Sequence, residues 1–307
     1  MNGIATIAEK EFKTSFKNRE FLLIVILFLG MSIASVYIGA TTKSAELSAY
    51  NDIVAAAATT GAVIPAAPVI YPLAILQNLV EYIIMIGAIL AVFLGFDAFN
   101  GERQSGTLRL MLTKPVSRQE VVVGKLAGAG LILGALLAAT LVFNIGLFIV
   151  TTGVTPGFAE VLRVILFLLF AFVYMMTFYM GALFVSIKVR ESSYGFLLMM
   201  VAWIFISFVI PQLAETQKNF AFAINNVAGT LTQIPNETAL STTIGWFSPA
   251  VQFRAVGNDL LQAVTETATI SVGRVLIVNV WKILYLFAPG LILLALSQRA
   301  VTKEAVL

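Results

Sequence analysis

The sequence predicts an all-α fold, a polytopic membrane protein with six transmembrane helices. Three observations predict it. The 307 residues are 59% hydrophobic and only 11% charged, where a soluble globule carries about 25% charged residues. The apolar residues gather into runs of roughly twenty, long enough to cross about 30 Å of hydrocarbon as helix. Lys and Arg concentrate in alternate connections between these runs, the asymmetry that sets membrane orientation. There is no Cys and no His, so no disulfide, Cys/His zinc site or His-based acid–base chemistry can form within these residues. No metal or cofactor site is expected in this chain. The formal charge of +3 does not sit on an aromatic-studded soluble surface, so lipid and not nucleic acid is the expected contact.

Residues 1–20 place Ile4, Ile7, Ala8, Phe12 and Phe16 at helical spacing beside Lys10, Lys13, Lys17 and Arg19. This predicts an amphipathic helix lying in the headgroup layer. Residues 21–296 form the membrane domain. Span one is Phe21 to Ala40, and residues 41–72, broken by Gly61, Pro65, Pro68 and Pro72, read as a loop with one short helix. Span two runs from Leu73 to Phe96 and carries Glu81, a candidate cargo or outer-face contact. The bland alternative for Glu81 is a solvated carboxylate at the interface. Span three, Val121 to Val150, holds the pairs Gly124/Gly128 and Gly130/Gly134, which permit close helix approach inside the bundle. Span four, Val161 to Ile187, starts with Arg163, expected to snorkel outwards. Its Tyr174 and Tyr179 either line a path or bond a neighbouring helix.

The tight turn 188–193 leads to span five, Tyr194 to Leu213, where Pro211 predicts a kink. Residues 214–275 form the longest polar section, expected to be an extracellular helical segment. Within it Trp246-Phe-Ser-Pro249 and the amphipathic run Val251 to Val264 predict short helices at the membrane surface, with Trp246 as anchor. Asn236-Glu-Thr238 is a glycosylation sequon. Span six is Val275 to Leu296, and residues 297–307 form a tail.

One polar island, residues 97–120, lies between the apolar runs of spans two and three. Thr107 after Gly106 can cap a short helix with Leu108, Met111 and Leu112 on one face. Pro115 ends it. Ser117 and Glu120 have the spacing of a capping box opening the next helix. Such a helix can press its apolar face into a partner's groove, with Glu102 and Arg118 as the polar rim. An ordinary solvated loop is the alternative.

In order and spacing, Glu102-x3-Gly-Thr-Leu-x3-Leu-Thr-x-Pro-Val-Ser-Arg118, followed by Gly124-Lys125, resembles the cytoplasmic loop of type 2 ATP-binding-cassette permeases. The span layout agrees along nearly the whole chain. The resemblance implies that residues 1–20 are an elbow helix and that residues 97–120 hold the coupling helix. That helix would dock on a separate ABC ATPase subunit, through Glu102, Gly106, Thr107, Leu108, Met111, Leu112, Pro115 and Arg118. Lys188 and Arg190 in the 188–193 turn are a candidate second contact. It further implies two ATPase copies that bind ATP and Mg, and a second permease copy or homologue completing the cargo path, most simply for export. No Gly-x4-Gly-Lys-Ser/Thr occurs, so ATP hydrolysis is not expected of this chain itself.

On these boundaries the termini, the island and residues 188–194 hold twelve Lys/Arg in about 62 residues, against four in about 106 on the opposite side. Both termini and the island are therefore expected in the cytoplasm, in the plasma membrane. An ion-coupled secondary transporter would call for an acid near mid-membrane, and Glu81 lies near a span end. A non-transporting membrane scaffold is the remaining alternative.

Overall fold

The computed structural model describes residues 3–61, 71–104, 106, 117–189, 191–225 and 230–303. Among them, six helices are long and apolar enough to cross a membrane. They are α2 (Arg19–Thr60), α3 (Pro72–Gln104), α4 (Arg118–Thr152), α5 (Phe158–Lys188), α6 (Ser193–Thr216) and α11 (Val280–Lys303). A separate helix, α1 (Gly3–Ser15), precedes them and packs along α4.

Helices α3 and α5 form the centre. Of their membrane stretches 67% and 61% are buried, against 17% to 39% for the other four. In hydrocarbon the lipid is as apolar as a leucine, so close packing and interhelical hydrogen bonds, not exclusion of water, hold helices together. Both are visible. Asn144 of α4 donates to the Ser32 hydroxyl of α2 at 2.8 Å, and Ser186 of α5 donates to the Phe96 carbonyl of α3 at 2.9 Å. The Gly124/Gly128 face also brings helices together. A Cβ at Gly124 would lie 2.8 Å from Ile7, and one at Gly128 would lie 2.7 Å from Glu11. The approach expected between spans inside the bundle is made instead with α1, which is not one of the six spans. Gly134 has nothing within 4 Å, so the second glycine pair does no such work.

Several expected boundaries move. Span one does not stop near Ala40. Helix α2 starts at an Asn18 cap, whose side chain accepts from the Glu20 and Phe21 amides, and runs 42 residues to Gly61 in the left-handed region. At 1.5 Å per residue it is about 63 Å long, twice a bilayer core. Residues 41–60 are rich in Ala, carry a Lys43–Glu46 pair and meet no proline before Pro65, so nothing stops the helix. At the other end of span two, α3 continues through Asp97–Gln104, so the first third of the polar island is helical extension. Ser117 and Glu120 do form the expected capping box, with bonds of 2.7 and 3.2 Å.

Two spans contain wide π-helical turns, at Ile83–Gly87 in α3 and Phe205–Val209 in α6. The second has a cause in sequence. Pro211 has no N–H for the Ser207 carbonyl, and its ring crowds that carbonyl, so the turn around Ser207 widens.

The section expected to be wholly helical opens instead with an antiparallel hairpin, β1 (Asn219–Asn225) and β2 (Thr230–Asn236). Its register runs from Asn219 opposite Asn236 to Asn225 opposite Thr230. Phe-Ala-Phe-Ala-Ile alternates with period two, the strand signature, and a segment this short between membrane helices need not be helical. Four short helices follow, α7 (Ala239–Trp246), α8 (Pro249–Leu260), α9 (Thr265–Ala268) and α10 (Val272–Val278), with α8 on the run expected to be helical and α10 overlapping the expected start of span six. Helix α8 buries Ala250, Phe253, Val256, Gly257 and Leu260, one stripe at helical spacing. The Phe253 ring stacks on Phe167 and Tyr174 of α5, at 5.6 and 5.1 Å, so α8 is wedged into the bundle. Span six begins only at Val280, after a break at Asn279, and its helix extends through the expected tail to Lys303.

Candidate coupling face and opposite cleft

At the island end of the bundle, three helices meet around one buried ammonium. Lys125 of α4 has a fully buried side chain. Its Nζ lies 2.7 Å from Glu11 Oε1 of α1 and 3.2 Å from Glu102 Oε1 of α3. It also donates to the Ala98 carbonyl and sits 5.1 Å from the centre of the Phe99 ring. Lys10 approaches the same Glu102 oxygen at 2.5 Å. An unpaired charge here would be costly, whereas two carboxylates, a carbonyl and an aromatic face satisfy it. Glu102, expected on an exposed polar rim, is 8% exposed and binds within the chain.

The next residue ties the island to the 188–193 turn. Arg103 donates to the carbonyls of Ser186 at 2.9 Å, Val189 at 3.0 Å and Ile187 at 3.1 Å. These belong to the end of α5, where the last carbonyls of a helix lack intrahelical partners and the dipole favours a cation. Lys188 is exposed beside this clamp. Gly106 closes a turn through its amide to the Arg103 carbonyl at 3.2 Å, with φ of +70°, where an L side chain is strained. Thr107, Leu108, Met111, Leu112, Pro115 and Arg190 lie outside the described residues. Arg118 opens α4, and its side chain is likewise outside them.

At the opposite end Glu81 is neither isolated nor merely solvated. Arg254 of α8 grips it with both arms, Nε to Oε1 at 2.5 Å and Nη2 to Oε2 at 2.8 Å. The hydrogen bond to Glu81 is the main influence holding the Arg254 guanidinium above its ordinary pKa range, against the opposing effect of burial. The pair sits in the wall of a cleft of about 560 Å³ between α6, α7, α8 and the start of α11.

Arg163 does not snorkel. It is 4% exposed and donates to the carbonyls of Asp259 at 3.2 Å, Leu260 at 3.4 Å and Ile270 at 2.5 Å. The end of α8 supplies carbonyls within its reach, so water is not needed. Tyr179 and Tyr174 bond neighbouring helices. Tyr179 donates to the Lys125 carbonyl at 3.1 Å, and Tyr174 to the Ile84 carbonyl at 3.1 Å. Trp203 shares that carbonyl at 3.4 Å, and Ser207 lies 3.5 Å from the Tyr174 hydroxyl. The two π-helical turns are thus stitched together across α5.

Sequence reasoning missed Lys10, Glu11, Lys125, Arg103 and Arg254. A charge inside an apolar run was the available signal for Lys125. Arg254 pairs with a residue 173 positions away, which no local pattern reveals.

The chain matches the family model described as ABC-2 family transporter protein over residues 5–304. It is similar to the probable ABC transporter permease protein NosY of Stutzerimonas stutzeri, 32% identical over 133 residues. The protein of the same name from Pseudomonas aeruginosa is 31% identical over 133 residues. Each match covers 43% of this chain and 41% of the relative's length.

Proposed function

The chain belongs to the ABC-2 transporter family, and from that premise we propose that it is the permease subunit of an ATP-driven exporter. In this reading a second permease copy or homologue completes the cargo path. Two copies of a separate ATPase bind ATP and Mg and grip the two islands. The chain contributes no phosphate loop and takes part by changing conformation.

The observation that carries this reading is the anchoring of the island. Its leading end is α3, held to α1 and α4 through Glu102, Lys125 and Lys10, and to α5 through Arg103. Its trailing end is the capped start of α4. A push on a loop hung from four mutually tied helices moves those helices, whereas a push on a slack loop is lost in the loop. Nucleotide-driven closure of the ATPases would therefore bias the permease between two conformations, which is what coupling requires thermodynamically.

The same reading places both termini and the island in the cytoplasm, on the charge asymmetry of the connections. Because the chain has no Cys, single-cysteine labelling tests this directly. In intact cells, a membrane-impermeant maleimide should label Asp52→Cys and spare Asn2→Cys. Labelling of Asn2→Cys with Asp52→Cys protected would invert the topology and remove the island from the ATPase side.

A further inference from the structure

The cleft beside Glu81 has an unused charge. Three acids and three cations line it, and two pairs neutralise each other: Glu81 with Arg254, and Glu215 with Lys218 at 2.6 Å. Glu237 and Lys282 remain, and neither makes a hydrogen bond or ion pair among the described residues. Their surroundings differ. Glu237 is exposed and its charge is met by water, while Lys282 is partly buried and gives up hydration without a partner. The side that gains from a ligand is therefore cationic.

The cleft also has an apolar side. Trp246, 45% exposed, stacks on Tyr285 at 5.1 Å, and its indole N–H makes no hydrogen bond among the described residues. Phe208, from the π-helical turn of α6, is 38% exposed in the same wall. Lys282 stands in the first turn of α11, where that helix begins its span. A Trp–Tyr stack and a lysine at a span end belong to the headgroup layer. Wide π-helical turns recur at binding sites, and Ser207, at the junction of the two turns, also faces this cleft.

We propose that this cleft binds the anionic headgroup of a membrane phospholipid, with Lys282 as its ion partner and the Trp246 indole as a second donor. The acyl chains would leave over Phe208 into the bilayer. The site rests on the reading of the six helices as membrane spans and is independent of ATPase coupling.

The test uses the full chain in detergent, with native mass spectrometry reading bound lipid. Dioleoyl phosphatidylglycerol should be retained in preference to dioleoyl phosphatidylcholine. Lys282→Gln should weaken its binding about tenfold, as expected for loss of one charge-assisted hydrogen bond. Trp246→Phe, which keeps the ring, should weaken it less. Lys43→Gln, which removes a cation remote from the cleft, should leave it unchanged. Millimolar inorganic phosphate should not displace the lipid. Equal retention by wild type and Lys282→Gln would overturn the site. Equal retention of phosphatidylcholine, or displacement by phosphate alone, would overturn the anionic-lipid assignment. Loss of ATPase coupling with lipid retention intact would count against the transporter reading and leave this one standing.

Discussion

At the scale of single residues, Lys125 and Glu81 show how burial decides the worth of a charge pair. The Glu81–Arg254 pair is bidentate, but its side chains are 50% and 33% exposed. Water competes there, and such pairs contribute about 0–1 kcal/mol. Lys125 has no such competition. Replacing it by Met would leave the Glu11 and Glu102 carboxylates facing each other across a dry site, and breaking a buried pair costs about 3–5 kcal/mol. Lys10 still holds Glu102, which places the expected loss near the lower end of that range. Thermal unfolding in detergent should show Lys125→Met melting well below Lys43→Met, where only a surface Lys–Glu pair is lost. Equal melting temperatures would mean that the ammonium is not the keystone of the three-helix junction. Lys125 lies as a charge within an apolar run, a signal that sequence reasoning passed over, and its partners Glu11 and Glu102 come from segments 114 and 23 residues away. Hydrophobic pattern locates such a lysine and cannot name what neutralises it.

At the scale of elements, the apolar runs were legible because period and length are local properties. The spans, the Ser117 capping box and the helix at Val251 all follow from residues within a few positions. The misses also have physical causes. Residues 41–60 looked like loop because prolines cluster further on, but those prolines lie beyond Gly61, the left-handed cap at which the helix ends. The hairpin was hidden in a section read for its polarity, although Phe220–Ile224 alternates. The 97–104 stretch looked aqueous because it is polar, and tertiary ion pairs hold it helical. The glycine pair of α4 gives this scale its prediction. Gly128→Leu would force a side chain against Glu11 and the Ala8 carbonyl, 2.7 and 3.2 Å from the added Cβ. Overpacking of this kind costs about 1–3 kcal/mol, and α1, which is not one of the six spans and is held at this seat by the Glu11–Lys125 and Lys10–Glu102 pairs, is the element that yields. The Phe16–Asn18 link should then be cut faster by protease, with the six spans still inserted. Gly134→Leu, at an open position, should leave the cutting rate unchanged. A Gly128→Leu protein cut no faster would show that α1 does not depend on this seat.

At the scale of the whole molecule, the two ends of the bundle are built for different work. The island end is tied by buried ions across α1, α3, α4 and α5, so that its parts move together. The opposite end is a cleft bounded by the hairpin section and by α6, whose π-helical turn interrupts the regular ladder. In the proposed reading this architecture serves as a lever, with force entering at the tied end and expressed at the cleft end. Of this plan, the sequence disclosed the spans, the island and the charge asymmetry. The ties themselves join residues far apart in the chain and became visible only in the fold.

The central claim is that the island transmits ATPase closure to the helices, and Leu108→Asp tests it most directly. In this reading Leu108 enters a groove on the ATPase, and a carboxylate there would be desolvated without a partner, costing several kcal/mol. The measurement is the ATPase that copurifies with the tagged permease, together with its ATP hydrolysis. Leu47→Asp, on the exposed α2 extension at the other end, serves as the control. The account predicts that Leu108→Asp inserts normally but loses the ATPase, while Leu47→Asp retains it. Full copurification and hydrolysis with Leu108→Asp would contradict the account and reduce the island to a loop.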